Sequence, residues 1–102
     1  MFNSDPRLPS AKELIVLDML GGKKEMYGLE MVQASGGKLA RGTIYVMLMR
    51  MDDKGYVTSR QLMEENVSGL PKRVFSITGL GQRALALSRQ ARIELTGAEV
   101  WG

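Results

Sequence analysis

Apolar positions in this chain recur mostly at helical spacing, with one interruption where they alternate instead. Residues 1–9 hold Pro6, Pro9 and several turn formers without any apolar period, so they read as an N-terminal arm. From Ser10 the pattern changes. Ser10 and Glu13 stand at capping-box spacing, in which the hydroxyl accepts from an orphan backbone N–H and the carboxylate reaches back to the cap. Leu14, Ile15, Leu17 and Leu20 then supply a stripe, ended by Gly21 and Gly22. A second, short helix is predicted over residues 27–34 with Leu29, Met31 and Val32 turned inward, broken by Gly36 and Gly37. A third is predicted over residues 41–54, where Ile44, Met47, Leu48 and Met51 share one face and Asp52, Asp53, Lys54 and Gly55 close the segment.

The interruption follows. Residues 56–59 and 73–77 are short β-prone runs, the second reading Val74, Phe75, Ser76, Ile77, and the polar stretch 64–69 joins them as the tip of a hairpin. Thr78 is placed to cap a last helix striped by Leu80, Ala84, Leu87, Ala91 and Leu95. Three helices, a hairpin and a further helix give a mainly α fold with a small β-hairpin. That is the order of a winged helix-turn-helix with a C-terminal dimerisation helix. The expected division is an arm (1–9), a winged helix-turn-helix unit (10–78), and a dimerisation helix and tail (79–102). No internal repeat or low-complexity tract is present.

Composition narrows the function. With 102 residues the chain suits one small domain, for which burial of an apolar face against a second copy is a common source of further stability. It has no cysteine and no histidine, which removes disulfides, thiol nucleophiles, Cys/His zinc sites and the commonest general base. No catalytic residues, metal ligands or cofactor are therefore expected, and the chain is read as no enzyme. Apolar runs such as residues 44–49 are far shorter than the roughly 20 residues a bilayer needs. Without a membrane span or signal peptide, the expectation is a soluble protein of the reducing cytoplasm.

The net charge is +3, and its placement matters more than its size. Between Lys38 and Arg73 seven basic residues face four acidic ones, while the rest of the chain balances, so the excess lies in the middle third. A polyanion is the partner this favours, and double-stranded DNA the specific expectation. With Ile44, Met47, Leu48 and Met51 inward, the helical period turns Gly42, Val46, Met49 and Asp53 outward, flanked by Thr43, Tyr45 and Arg50. Gly42 lets phosphate approach the helix start. Thr43 and Tyr45 can donate to phosphate oxygens, Lys38, Arg41 and Arg50 add charge, and Arg41 can also pair with a guanine edge. Val46 and Met49 can pack on thymine methyls, whereas Asp53 is expected to point away from the duplex. Arg60, Lys72 and Arg73 flank the hairpin tip and are expected along the backbone or in the minor groove.

Several motifs between Tyr27 and Gly81 together resemble the PadR family of bacterial transcriptional regulators. These are Tyr27-Gly28 at the start of the second helix and Gly42-Thr43-Ile44-Tyr45 in the recognition helix. Leu48, Met51, Gly55 and Tyr56 follow at the core and the start of the wing, and Lys72, Arg73, Phe75, Ile77, Thr78 and Gly81 at its exit. Val46 stands where that family usually has Pro, Ala40 where it has a hydroxyl cap, and Phe75 where it has Tyr. The resemblance implies a repressor that binds a pseudo-palindromic operator as a homodimer. It also implies a small-molecule inducer, planar or phenolic, near the dimer interface.

Dimerisation is assigned to Leu80, Ala84, Leu87, Ala91 and Leu95, because a helix of about four turns after a complete winged helix has little left to cover. Trp101 is read as a terminal anchor on the partner subunit, with a ligand-stacking platform as the other reading. Tyr27 and Gly28 are expected to pack helices together, and the methionines to fill core and interface. A winged-helix module that binds a protein without reading DNA is the rival reading, kept open by the apolar Val46 and Met49.

Overall fold

The computed structural model describes residues 8–22, 25–62 and 72–96. Helix α1 (Ala11–Gly22) starts as expected: the Ser10 N–H donates to Glu13 Oε1 at 2.9 Å and the Glu13 N–H donates to Ser10 Oγ at 3.2 Å. Its buried face, however, is Glu13, Val16, Leu17 and Leu20, with Leu14 and Ile15 only half-buried. The anticipated stripe was therefore rotated. The carboxylate accounts for this, because Glu13 is carried inward by an ion pair to Lys54 Nζ at 3.0 Å, some forty residues along the chain. Gly21 and Gly22 are the last turn of the helix and not a left-handed cap.

A two-residue strand, β1 (Met26–Tyr27), runs directly into helix α2 (Gly28–Ala34). Tyr27 is extended (φ −79°, ψ 155°) and serves as the N-cap, its N–H donating to Glu30 Oε1 at 2.7 Å. Met31 is buried and Val32 half-buried, while Leu29, expected inward, is exposed. In so short a helix the single buried row follows Gly28 and Met31, and Leu29 falls outside it. Beyond the helix, Gly36 and Gly37 take positive φ of 64° and 93°, and the buried Ser35 Oγ accepts from the Leu39 N–H at 3.0 Å. The hydroxyl thus holds the turn that brings Leu39 into the core.

Helix α3 (Ile44–Asp53) begins three residues later than the sequence pattern suggests, since residues 41–43 form a turn. Ile44, Leu48 and Met51 are buried and Met47 half-buried, as expected of one face. Gly55, at φ +84°, ends it. Its N–H donates to Asp52 O and the Tyr56 N–H to Met51 O, both at 2.9 Å, the bond pair of a Schellman terminus.

Strands β2 (Val57–Leu62) and β3 (Lys72–Ile77) form the hairpin, longer on its first arm than predicted, and the anticipated tip at 64–69 lies outside the described residues. The strand order is β1-β3-β2, antiparallel throughout. β3 is therefore central, and Val74 and Phe75 are both buried instead of alternating. Helix α4 (Gly79–Thr96) is capped by Thr78, whose Oγ1 accepts from the Gly81 N–H at 3.0 Å and donates to Gly55 O at 2.6 Å. A Cβ on Gly81 would stand 2.2 Å from Tyr56 O, so only glycine lets α4 cross this closely. Leu85 completes the contact with α1, joined by an ion pair between Arg89 and Asp18. Four helices and a three-stranded sheet thus form a winged helix-turn-helix with a C-terminal helix, built on a core of Val16, Leu17, Leu20, Ile44, Leu48, Met51 and Phe75.

Candidate nucleic-acid interface

Because Ile44, Leu48 and Met51 are drawn into the core, α3 turns Tyr45, Val46, Met49, Arg50 and Asp53 to solvent. Val46 and Met49 are 59% and 58% exposed. Arg41, Gly42 and Thr43 sit in the turn before the helix, all exposed, and no atom lies within 4 Å of where a Gly42 Cβ would be. Lys38 is exposed on the preceding connection.

Three of the described cations are neutralised by carboxylates within the fold. Lys54 pairs with Glu13, Arg60 with Glu25 and Arg89 with Asp18. Lys38, Arg41 and Arg50 have no carboxylate partner among the described residues. Arg41 in the turn before α3 and Arg50 on its outer side are therefore positive charges that no described carboxylate pairs. Asp53 is exposed towards the far end of the helix.

The start of α2 connects this face to the wing. The Tyr45 ring lies over Gly28, where an added Cβ would come within 2.9 Å of it. Gly28 thus serves the close helix approach expected of it. On its other side Tyr27 is half-buried, with Lys72 Nζ 5.2 Å from the centre of its ring, a cation–π contact. Tyr27 packs as an aromatic, as anticipated, and also positions a wing cation.

Strand register sorts the three wing cations. Tyr27 and Arg60 both stand opposite Val74, so Tyr27, Arg60 and Lys72 share one face of the sheet. Arg73 points to the other face, where its Nη1 donates to Ser59 Oγ at 3.1 Å. Lys72 and Arg73 thus flank the wing from opposite sides. The Arg60 guanidinium is held in a fork by Glu25, with Nε and Nη2 donating at 2.7 and 2.8 Å. Those hydrogen bonds, and then the carboxylate charge, push its pKa further up. Neither Glu25 nor β1 stands out in the sequence pattern. The only local sign is a carboxylate and an aromatic placed directly before a helix-starting glycine.

On the opposite flank, Leu80 and Leu87 of α4 are exposed, Leu87 by 70%, Ala84 is half-buried and Ala91 exposed. With Leu8, Pro9 and Tyr56 they line an apolar groove of about 540 Å³. The Leu95 side chain and all of Trp101 lie outside the described residues. Among the described residues, no group of carboxylates is arranged to hold a metal ion, and no helix is long and apolar enough to cross a membrane.

A model of the transcriptional regulator PadR-like family matches residues 16–87. Among solved structures, a transcriptional regulator from Thermoplasma acidophilum is similar at 28% identity and a TM-score of 0.68, over 85% of this chain and 84% of that one. A Streptococcus transcriptional regulator is similar at 26% identity and a TM-score of 0.65, over 82% and 83% of the two chains. At 24% identity, a PadR family transcription regulator from Clostridium difficile R20291 shares the fold, with a TM-score of 0.67 over 87% and 96%. No curated protein matches the sequence significantly.

Proposed function

This chain belongs to the PadR-like family of transcriptional regulators, and we propose that it is a repressor that binds a pseudo-palindromic operator as a homodimer. In this reading α3 enters the major groove, the wing cations contact backbone or the adjoining minor groove, and promoter access is occluded. The observation that carries it is the pair Arg41 and Arg50, in the turn before α3 and on its outer side, exposed cations without carboxylate partners among the described residues. Leaving such charges unpaired on a small domain suits a ligand that brings its own phosphates.

Residues 10–78 act as the DNA-binding unit and 79–102 as the dimerising one. Exposed Leu80, Leu87 and Ala91, continuous with Ala84, support the second role, since a partner's copy of the same stripe would cover them. The sequence pattern assigns Leu95 to the same stripe and Trp101 to an anchor on the partner subunit. Release from DNA by a small planar molecule near this interface belongs to the same reading, as does a cytoplasmic setting without catalysis.

Enrichment of duplexes from a random pool, followed by sedimentation of the complex, tests it. The account expects two chains on one duplex, with half-sites repeating at about one helical turn, roughly 34 Å. No enrichment, or one chain per duplex, contradicts it.

A further inference from the structure

We infer that Val46 and Met49 read the 5-methyl groups of pyrimidines on the floor of the major groove, so that methylated pyrimidines at those positions are what this chain selects. The inference rests on the DNA-binding reading above and adds which chemical feature of the bases is recognised.

The exposed side chains of α3 are Tyr45, Val46, Met49, Arg50, Asp52 and Asp53. None is the Asn or Gln that pairs with an adenine edge, and the two aspartates sit at the far end of the helix, where phosphate repels them. Tyr45 is turned back, its ring against Gly28. Val46 and Met49 are left, beside Arg50, as the exposed apolar groups of this face, each more than half exposed. Three residues apart, they are neighbours on the helix surface, separated by about 4.5 Å along its axis. That is close to the roughly 3.4 Å step between bases on one strand, so the pair meets adjacent steps.

A valine and a methionine cannot replace the water held by guanine N7 and O6 or by adenine N7, and leaving those acceptors unpaired is unfavourable. The thymine methyl is the one apolar group that the major groove offers. A methyl on cytosine C5 presents the same surface. The nearby cations Arg41 and Arg50 favour nucleic acid over an apolar protein patch as the occupant of this face.

The test begins with the duplex enriched by the wild-type protein. Replacing its thymidines by deoxyuridine removes the methyls and leaves the hydrogen-bonding edges unchanged. Affinity should fall about fourfold for each methyl contacted, the worth of one buried carbon. Val46→Ser and Met49→Ser, both at exposed positions, should each lose only the discrimination at its own methyl, and the double variant should bind the thymidine and deoxyuridine duplexes alike, all with the wild-type melting temperature. A parallel series with 5-methylcytosine in place of cytosine distinguishes the two sources of the methyl: a gain there without a loss on deoxyuridine assigns the site to methylated cytosine. Equal affinity across both series would overturn methyl reading and leave DNA binding standing. If no duplex is enriched at all, the DNA reading fails and takes this inference with it. Should the two variants instead change self-association and not DNA affinity, the face is an interface between copies and the inference is wrong.

Discussion

Helices α3 and α4 both carry large apolar side chains to solvent, Val46 and Met49 on one, Leu80 and Leu87 on the other, and the surroundings of the two sets differ. Beside Val46, the groove between α1 and α3 is mixed, with Ser10, Lys12, Glu13, Thr43 and Arg50 among Ala11 and Met47. Beside Leu80 and Leu87, the groove continues into Leu8, Pro9, Tyr56, Ala84 and Ala91, with Arg83 and Ser88 as its polar members. Exposed apolar area alone therefore does not identify a partner. A few apolar groups beside Arg41 and Arg50 suit a polyanion with methyls on its floor, and a longer, mostly apolar strip suits a second copy of itself.

The comparison depends on the two helices keeping their places, so the largest effects should come from the joints that set them. Gly81→Val would drive a side chain into Tyr56 O, a backbone atom that cannot swing away. A loss of at least 3 kcal/mol is expected, lowering the melting temperature by more than 10 °C. A melting curve like that of wild type would show that α4 does not need this crossing.

The corresponding joint for α3 is the pair between Lys54 and Glu13. The Glu13 side chain is 3% exposed and that of Lys54 19%. Lys54→Met leaves the buried carboxylate with only its capping bond to the Ser10 N–H, and should cost about 3 kcal/mol, the low end for a broken buried pair because Lys54 is still partly hydrated. Denaturant titration checks this. If Glu13→Gln restores most of the loss in the Lys54→Met background, the penalty is that of an uncompensated charge, as argued.

Charging the α4 strip addresses function directly. Leu87→Glu places a carboxylate where a partner's apolar side chain is proposed to lie, so the chain should sediment as a monomer. Operator affinity should then drop about a hundredfold, because two linked half-sites become one. A variant that remains dimeric would remove Leu87 from the interface.

How far the sequence could be read depended on the range of the interactions. Local devices were legible: the Ser10–Glu13 box, the Thr78 cap, the glycine that ends α3, and the face of Ile44, Leu48 and Met51 all depend on residues within about one helical turn. Long-range pairings were not. The turn of Glu13 into the core follows from Lys54, and the short strand β1 exists because its two residues pair with Val74 and Phe75. Two residues carry no period to detect. The same limit applies to the site. The outward side of α3 was readable from its inward side, but that Arg60 is held by Glu25, or that Lys72 and Arg73 fall on opposite faces of the wing, follows from strand register. The inward assignment of Leu29 failed because a seven-residue helix is too short for its spacing to single out one face.

Whether α3 or α4 meets the nucleic acid is decided by the salt dependence of binding by two arginine variants. Each phosphate contact contributes about −0.9 to the slope of log affinity against log salt. Arg50→Ala should make that slope shallower by about 0.9 on the enriched duplex, while Arg83→Ala, which removes an exposed cation beside the α4 groove, should leave it at the wild-type value. An unchanged slope for Arg50→Ala, or a larger change for Arg83→Ala, would contradict the account.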